Sequence, residues 1–259
     1  MVPLSSIITI VICAILGIGA PILLGWWMVK KYQVKPGTIL IGAGVFIVFA
    51  LILETILHQV VLKGPNGTAI MGNVWYYALY GGLAAGIFEE TGRFLAMKYL
   101  LKKEPSGAKT AVAYGIGHGG AEMLIVYALA MISNLAIAVM INTGMADTIL
   151  ASAPAEAQAQ VQEQFSQLQS STPGTFLTGL WERVSAIILQ LGLSVIVWTA
   201  VRKGGKWLWL FPAAILLHFL VDASAVLLMK AVSMVALETI VCALAVAVGA
   251  AAVMLAKKL

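Results

Sequence analysis

The first apolar run of the sequence, SSIITIVICAILGIGAPILLGWWM, occupies residues 5–28 and contains no charged side chain. A helix that crosses a bilayer needs about 20 mostly apolar residues, so this run predicts a membrane-spanning helix. It is longer than the core of a signal peptide and no basic residue precedes it, so we do not expect it to be cleaved. The same template predicts about seven spanning helices along the chain, at residues 5–28, 38–62, 73–100, 109–141, 175–201, 207–229 and 232–256.

The composition agrees with a membrane protein. Hydrophobic residues make up 61% of the 259 positions and charged residues 10%, whereas a soluble domain carries about 25% charged residues. Cys13 and Cys242 lie within apolar runs and are expected to be small buried residues rather than partners in a disulfide. The net charge of +5 does not indicate nucleic-acid binding, because the basic residues lie between apolar runs and form no single patch. We therefore expect an all-α, polytopic helix bundle, with residues 1–259 as one transmembrane domain.

The basic residues also predict the orientation in the bilayer, because Lys and Arg concentrate in cytoplasmic loops. They cluster in the first, third and fifth connections and at the C-terminus, so the N-terminus is expected outside and the C-terminus in the cytoplasm. The long fourth connection, at about 144–173, is then extracytoplasmic. Val161, Phe165 and Leu168 have helical spacing there, so this segment is expected to be a loop or an amphipathic helix.

In three of the predicted spans, charged or imidazole side chains lie in the half near the cytoplasm. Such side chains cost several kcal/mol in a bilayer and therefore usually face the interior of a bundle. The stretches are FEETGRF at 88–94, GIGHGGAEM at 115–123 and LHFLVDAS at 217–224. In the second and third stretches an acid follows a histidine by four residues, which places both side chains on one helix face. The residues concerned are Glu89, Glu90, Arg93, His118, Glu122, His218 and Asp222.

Depth within the bilayer brings these stretches together. A rise of about 1.5 Å per residue puts Glu89, Glu90, His118 and His218 roughly 12–17 Å from the cytoplasmic ends of their helices. Gln190 in the fifth span falls at about 18 Å, close to the same level. The glycines around His118 leave room for a substrate backbone or a neighbouring helix to approach. We therefore predict one polar cluster in the cytoplasmic half of the bundle.

Such a cluster has the side chains of a hydrolytic site. Two imidazoles and a carboxylate are a common ligand set for catalytic zinc, with one position left for water. The predicted metal ligands are His118, Glu122, His218 and Asp222. A glutamate in a dry pocket, oriented by two histidines, can also activate water without metal. The predicted catalytic residues are Glu89, Glu90 and Arg93, although a structural ion pair between Arg93 and Glu89, four residues earlier, is the simpler alternative for Arg93.

A second polar set lies further from the cytoplasmic ends. Glu54 and His58 share a face of the second span, and Glu238 lies at a similar height in the last one. These residues are candidates for an outer vestibule or an ion path. Glu182 and Arg183 open the fifth span and are expected to reach the water at the membrane surface.

The motifs FEETGR, GHGGAE and HFLVD resemble those of the YhfC-like intramembrane metalloproteases, a family similar in motif style to the CAAX-protease, bacteriocin-processing and PrsW membrane peptidases. The resemblance covers most of the chain and implies peptidase activity, a zinc ion, a membrane-bound peptide or protein substrate, and a multi-pass location in the plasma membrane of a prokaryote. The chain departs from the family pattern at Gln190, where related enzymes often have a histidine. If that histidine normally binds metal, this chain binds metal weakly or works without it.

We therefore expect an intramembrane endopeptidase that uses a metal-activated or glutamate-activated water. A transporter for protons or divalent metals is the main alternative, because buried Glu, His and Asp also form proton relays. Against it, we find no inverted repeats or paired broken helices in the sequence. An inactive scaffold that binds membrane partners is the third alternative.

Overall fold

The computed structural model describes residues 1–259 and consists of helices and their connections, without strands. We number the helices in chain order: α1 Leu4–Tyr32, α2 Pro36–Leu62, α3 Gly67–Gly72, α4 Val74–Leu95, α5 Ala108–Asn142, α6 Ala146–Ser152, α7 Ala155–Ser170, α8 Pro173–Lys203, α9 Leu210–Leu228 and α10 Met234–Ala256. Three stretches are π-helical: Phe46–Glu54 within α2, Ala96–Leu100 after α4 and Met123–Ala128 within α5. The all-helical fold expected from the sequence is confirmed.

Several helix ends follow from local sequence. The side chain of Asn73 accepts hydrogen bonds from the backbone N–H groups of Trp75 and Tyr76 and so caps the start of α4. Ser233 caps α10 in the same way. Gly204 takes a φ of 63°, which glycine adopts without strain, and α8 ends immediately before it.

Six helices are long and apolar enough to cross a bilayer, namely α1, α2, α5, α8, α10 and the segment Gly205–Leu228 that contains α9. The helix α4 also has 22 residues, which is enough to span. Its Glu89, Glu90 and Arg93 lower its apolar character, and it does not count among the six. The chain is therefore a multi-pass membrane protein with close to the seven spans predicted.

Contacts along the chain group into two compact units. The smaller one contains Met1–Ala20 and Met123–Trp181. In it, Cys13 is buried and unpaired, and the Tyr127 hydroxyl donates a hydrogen bond of 2.7 Å to the carbonyl of Phe176. The expected helix in the fourth connection is present as α7, and its Phe165 and Leu168 are buried in the apolar core of this unit.

The larger unit contains Pro21–Glu122 and Glu182–Leu259. Its most buried helix is α8, in which every residue from Gly192 to Ala200 is buried. A helix that is buried on all sides forms the core of a bundle. All the candidate site residues named above belong to this unit.

Glycines set the closest helix contacts of the larger unit. A Cβ added at Gly86 would lie 2.8 Å from the carbonyl oxygen of Ile215, and one at Gly82 would lie 2.9 Å from that of Phe219. Both positions therefore require glycine where α4 packs along α9, as expected for helix-packing positions in a membrane. A Cβ at Gly117 would overlap the carbonyl of Ile39, so α5 and α2 also meet backbone to backbone.

Candidate active site

Glu89, His118 and Gln190 come together from three different helices. Nε2 of His118 lies 2.8 Å from Oε2 of Glu89, and the side-chain amide of Gln190 donates to the same oxygen at 2.9 Å. All three side chains are almost fully buried. The equal depths inferred from the sequence thus correspond to direct contacts between α4, α5 and α8.

Glu90 forms a separate pair with His218. Oε1 of Glu90 lies 2.9 Å from Nδ1 of the imidazole, and Glu90 is 0% exposed. On the other side of the ring, Nε2 lies 3.6 Å from Oδ2 of Asp222. The two adjacent glutamates of α4 therefore bind different histidines on different helices.

Arg93 links the two pairs. One guanidinium nitrogen lies 3.4 Å from Oε2 of Glu90, and another donates to the side-chain oxygen of Gln190. Arg93 is fully buried, so its charge is compensated by these groups rather than by water. The ion pair that the sequence suggested for Arg93 is present, but its partner is Glu90 and not Glu89.

The side chain of Glu122 forms no hydrogen bond or ion pair with His118, although the two share a helix face. It lies 2.9 Å from a guanidinium nitrogen of Arg183, and the amide of Gln190 also donates to it at 3.2 Å. Arg183 binds Glu182 as well. Arg183 was expected to face water; instead it is largely buried and holds a carboxylate of the cluster. Its position two helical turns before Gln190, on the same face of α8, is the signal in the sequence that would have placed it here.

A cavity of about 340 Å³ adjoins the cluster, between α8, α9 and α10. Glu89 lines it, whereas Glu90 does not. Polar side chains lie at the walls near Glu89 and again at Glu182 and Glu238, and the apolar lining includes Leu189, Val221 and Val241. Met229 and Met234 also line it, so the cavity reaches the connection between α9 and α10. The polar residues near Glu89 are Glu122, Arg183, Gln190, His218 and Asp222.

Neighbouring helices fill the space beside the glycines around His118. A Cβ at Gly119 would lie 3.1 Å from the Cβ of Gln190, and one at Gly120 would lie 2.8 Å from the Cβ of Pro21. The ring of Phe46, at the start of the π-helical stretch of α2, packs edge-on against His118 with centroids 5.4 Å apart. His118 is thus held rigidly, and its Nδ1 has no hydrogen-bond partner.

The second polar set is divided in the structure. Glu54 lies 3.3 Å from His58, which in turn lies 2.8 Å from the hydroxyl of Tyr80 on α4. These residues do not line the cavity. Glu238 does line it, from the first turns of α10, and only 5% of this residue is exposed.

Comparisons with known proteins show the family of the chain. The model of the YhfC intramembrane metalloprotease family matches residues 12–246. The chain belongs to this family. It is also 34% identical over 235 residues to a Bacillus subtilis (strain 168) protein named "Uncharacterized membrane protein YhfC". The aligned region covers 90% of this chain and 88% of the relative. No solved structure matches the chain.

The family is named for a metalloprotease, so we tested whether the side chains fit a metal ion. The donor types suit zinc, which binds imidazole and carboxylate. Their arrangement does not, because no group of three or more His, Cys, Asp or Glu side chains is placed to hold an ion. Each histidine is paired with a different glutamate, and Glu122 is held by Arg183. The four predicted ligands therefore do not form a metal centre in this arrangement.

Proposed function

We propose that this chain is an intramembrane endopeptidase in which Glu89 activates the attacking water. One observation carries the proposal: Glu89 is held by His118 and Gln190 at the wall of a cavity, while the adjacent Glu90 is fully buried away from it. A general base must reach the proton that it removes, and of the two glutamates only Glu89 has access to a substrate in the cavity.

The proposed reaction is hydrolysis of a peptide bond. Glu89 takes a proton from water as the oxygen attacks the carbonyl carbon, and then gives it to the leaving nitrogen as the C–N bond breaks. Two fixed groups orient the base, since the imidazole of His118 and the amide of Gln190 both contact Oε2. The other carboxylate oxygen of Glu89 remains to receive the proton.

His218 is assigned to stabilise the negative charge that develops on the carbonyl oxygen of the substrate. Its Nδ1 is paired with Glu90, and the ring also lines the cavity. As an imidazolium it would donate from Nδ1 to Glu90 and from Nε2 toward the substrate. Arg93 supports the Glu90–His218 pair by its contact with Glu90, and it supports the Glu89–His118 pair through Gln190.

The substrate class follows from the walls of the cavity. The apolar side chains of α8, α9 and α10 suit a peptide segment that is embedded in the bilayer or lies next to it. A polar end with Glu89 and an apolar length beyond it fit a peptide whose scissile bond is presented to the cluster. The partners are then a membrane-bound peptide or protein and the lipid bilayer.

A zinc-dependent mechanism is the second candidate, and the family name favours it. Zinc would require His118 and His218 to leave their glutamate partners and turn toward a common point. Elemental analysis of the purified chain, beside His118→Ala and His218→Ala, tests this. About one zinc per wild-type chain that is lost in both variants would favour zinc, whereas metal-free protein with full peptidase activity would favour the glutamate mechanism.

The activity itself is tested with the purified chain in detergent micelles and a set of hydrophobic peptides, in water enriched in ¹⁸O. Hydrolysis by water places one ¹⁸O atom in each new carboxyl terminus, which mass spectrometry detects. The same protein in liposomes is assayed for proton flux. Cleavage with ¹⁸O incorporation and without flux supports the peptidase; proton flux without cleavage would contradict it and favour the transporter.

A further inference from the structure

The cavity has a second polar end, away from Glu89. Glu182 and Glu238 line this part, near the connection between α9 and α10. Met234, Leu237, Glu238, Val241 and Ala245 follow helical spacing along one face of α10, so Glu238 belongs to the face that borders the cavity. Its carboxylate is therefore available to a molecule that occupies the cavity.

Glu238 has an unsatisfied acceptor. Its Oε2 is buried and has no hydrogen-bond partner, and only 5% of the residue is exposed. A buried acceptor without a partner is costly, so such groups usually have a ligand or a role. The oxygen that lacks a partner thus marks a place in the cavity where a donor is missing.

The basic side chains at the cavity walls already have partners. Arg183 is the one arginine that lines the cavity, and no lysine does. Its two terminal nitrogens bind Glu122 and Glu182. The remaining carboxylates at the walls are then in excess over the positive charge, which favours a substrate that brings its own.

The rise along the helices gives the difference in height between Glu238 and Gln190, which binds Glu89. α8 and α10 run in the same direction, because α9 returns between them through short connections. They meet at Gly192, where an added Cβ would lie 3.2 Å from the backbone nitrogen of Gly249. Glu238 precedes Gly249 by eleven residues, and Gln190 precedes Gly192 by two. At about 1.5 Å per residue, Glu238 is roughly 13 Å from the level of Gln190, which is about four residues of extended peptide.

We propose that Glu238 is a specificity-determining residue: it accepts a hydrogen bond from a lysine or arginine side chain of the substrate, about four residues from the bond that is hydrolysed. This inference rests on the proposed peptidase function. The cation replaces the missing donor, while the apolar walls between Glu238 and Glu89 contact the intervening residues.

The test measures binding separately from cleavage. The Glu89→Gln variant of the full chain, in detergent micelles, is titrated into fluorescent 20-residue Ala/Leu peptides that carry a single Lys, Gln or Glu at one position. The Lys peptide should bind at least about tenfold more tightly than the Gln peptide, as expected for a charge-assisted hydrogen bond in a buried site. Adding Glu238→Gln should remove this preference, and adding Glu238→Lys should reverse it toward the Glu peptide. Glu163→Gln, which alters an exposed carboxylate on α7, is the matched control and should retain the preference.

Wild-type protein then tests whether the lysine sets the position of the cleaved bond. Mass spectrometry should locate cleavage about four residues from the lysine, and the cleaved bond should move as the lysine is moved. Equal binding of the Lys, Gln and Glu peptides, or a Lys preference that survives Glu238→Gln, would overturn the inference. Lys-dependent binding through Glu238 without any cleavage would support this subsite and count against the proposed peptidase. Cleavage at bonds whose position does not depend on the lysine would count against this subsite and support the proposed peptidase.

Discussion

Replacing Arg93 by methionine should strongly destabilise the larger unit. The guanidinium is fully buried, lies 3.4 Å from Glu90 and donates to Gln190. Methionine keeps most of the length of the side chain but removes the charge. Breaking a buried ion pair by removing one partner costs about 3–5 kcal/mol, because the other charge is left uncompensated. The unfolded state in a membrane-like solvent retains some polar partners, so the lower end, about 3 kcal/mol, is expected.

A double-mutant cycle separates this effect from lost packing. Glu90→Gln removes the opposite charge and can keep a hydrogen bond to His218. The double variant should then be at least about 1.5 kcal/mol more stable than the sum of the single effects predicts, since neither charge is left alone. The free energy of unfolding is measured in mixed micelles by far-ultraviolet circular dichroism. An Arg93→Met variant within 1 kcal/mol of wild type, or additive effects in the double variant, would refute the reasoning.

Three further predictions follow from single contacts. Gly86→Leu should lower the unfolding temperature and reduce the yield of folded protein, because no side chain fits against the carbonyl of α9 at 2.8 Å; Gly81→Leu, at a position with open space, is its control. Arg183→Gln should reduce the peptidase rate about tenfold or more, because Glu122, left without its charged partner at 2.9 Å, competes with Glu89 for the amide of Gln190; an unchanged rate would remove Arg183 from the site. Tyr127→Phe should cost about 1 kcal/mol of stability, because a buried hydrogen bond of 2.7 Å is lost, and it should leave the rate per folded molecule unchanged.

Sequence reasoning located the helices, and it predicted that polar residues of different spans meet. Long apolar runs decide where a chain can span, because every backbone group in the bilayer must be bonded within a helix. The fixed rise per residue then brought Glu89, His118 and Gln190 to one depth, and these three are in contact.

The pairing of side chains could not be predicted in the same way. Depth fixes the height of a residue, but the rotation of each helix decides which neighbour it faces. The spacing of His118 and Glu122 placed both on one face, yet the first binds Glu89 and the second binds Arg183. The expected water-exposed position of Arg183 was wrong for this reason. Its spacing of seven residues from Gln190, on the same face of α8, was the one signal that pointed inward.

The choice between the two glutamates depended on the cavity, which no sequence pattern describes. Glu89 and Glu90 are adjacent and differ by one helical step of 100°, so one faces the cavity and the other the packed interior. The metal prediction depended on convergence of ligands from α5 and α9, and that convergence is not present.

The most direct test of the account compares Glu89→Gln with Glu90→Gln in the peptide cleavage assay, with the rate expressed per folded molecule. Both changes preserve the size of the side chain and remove one carboxylate. Glu89→Gln should retain near-wild-type stability and lose at least about 100-fold in rate, since a positioned general base contributes that much or more. Glu90→Gln should lose stability and keep a rate within about tenfold of wild type. A Glu89→Gln variant that cleaves at the wild-type rate, or loss of cleavage confined to stable Glu90→Gln protein, would contradict the assignment of Glu89 as the base.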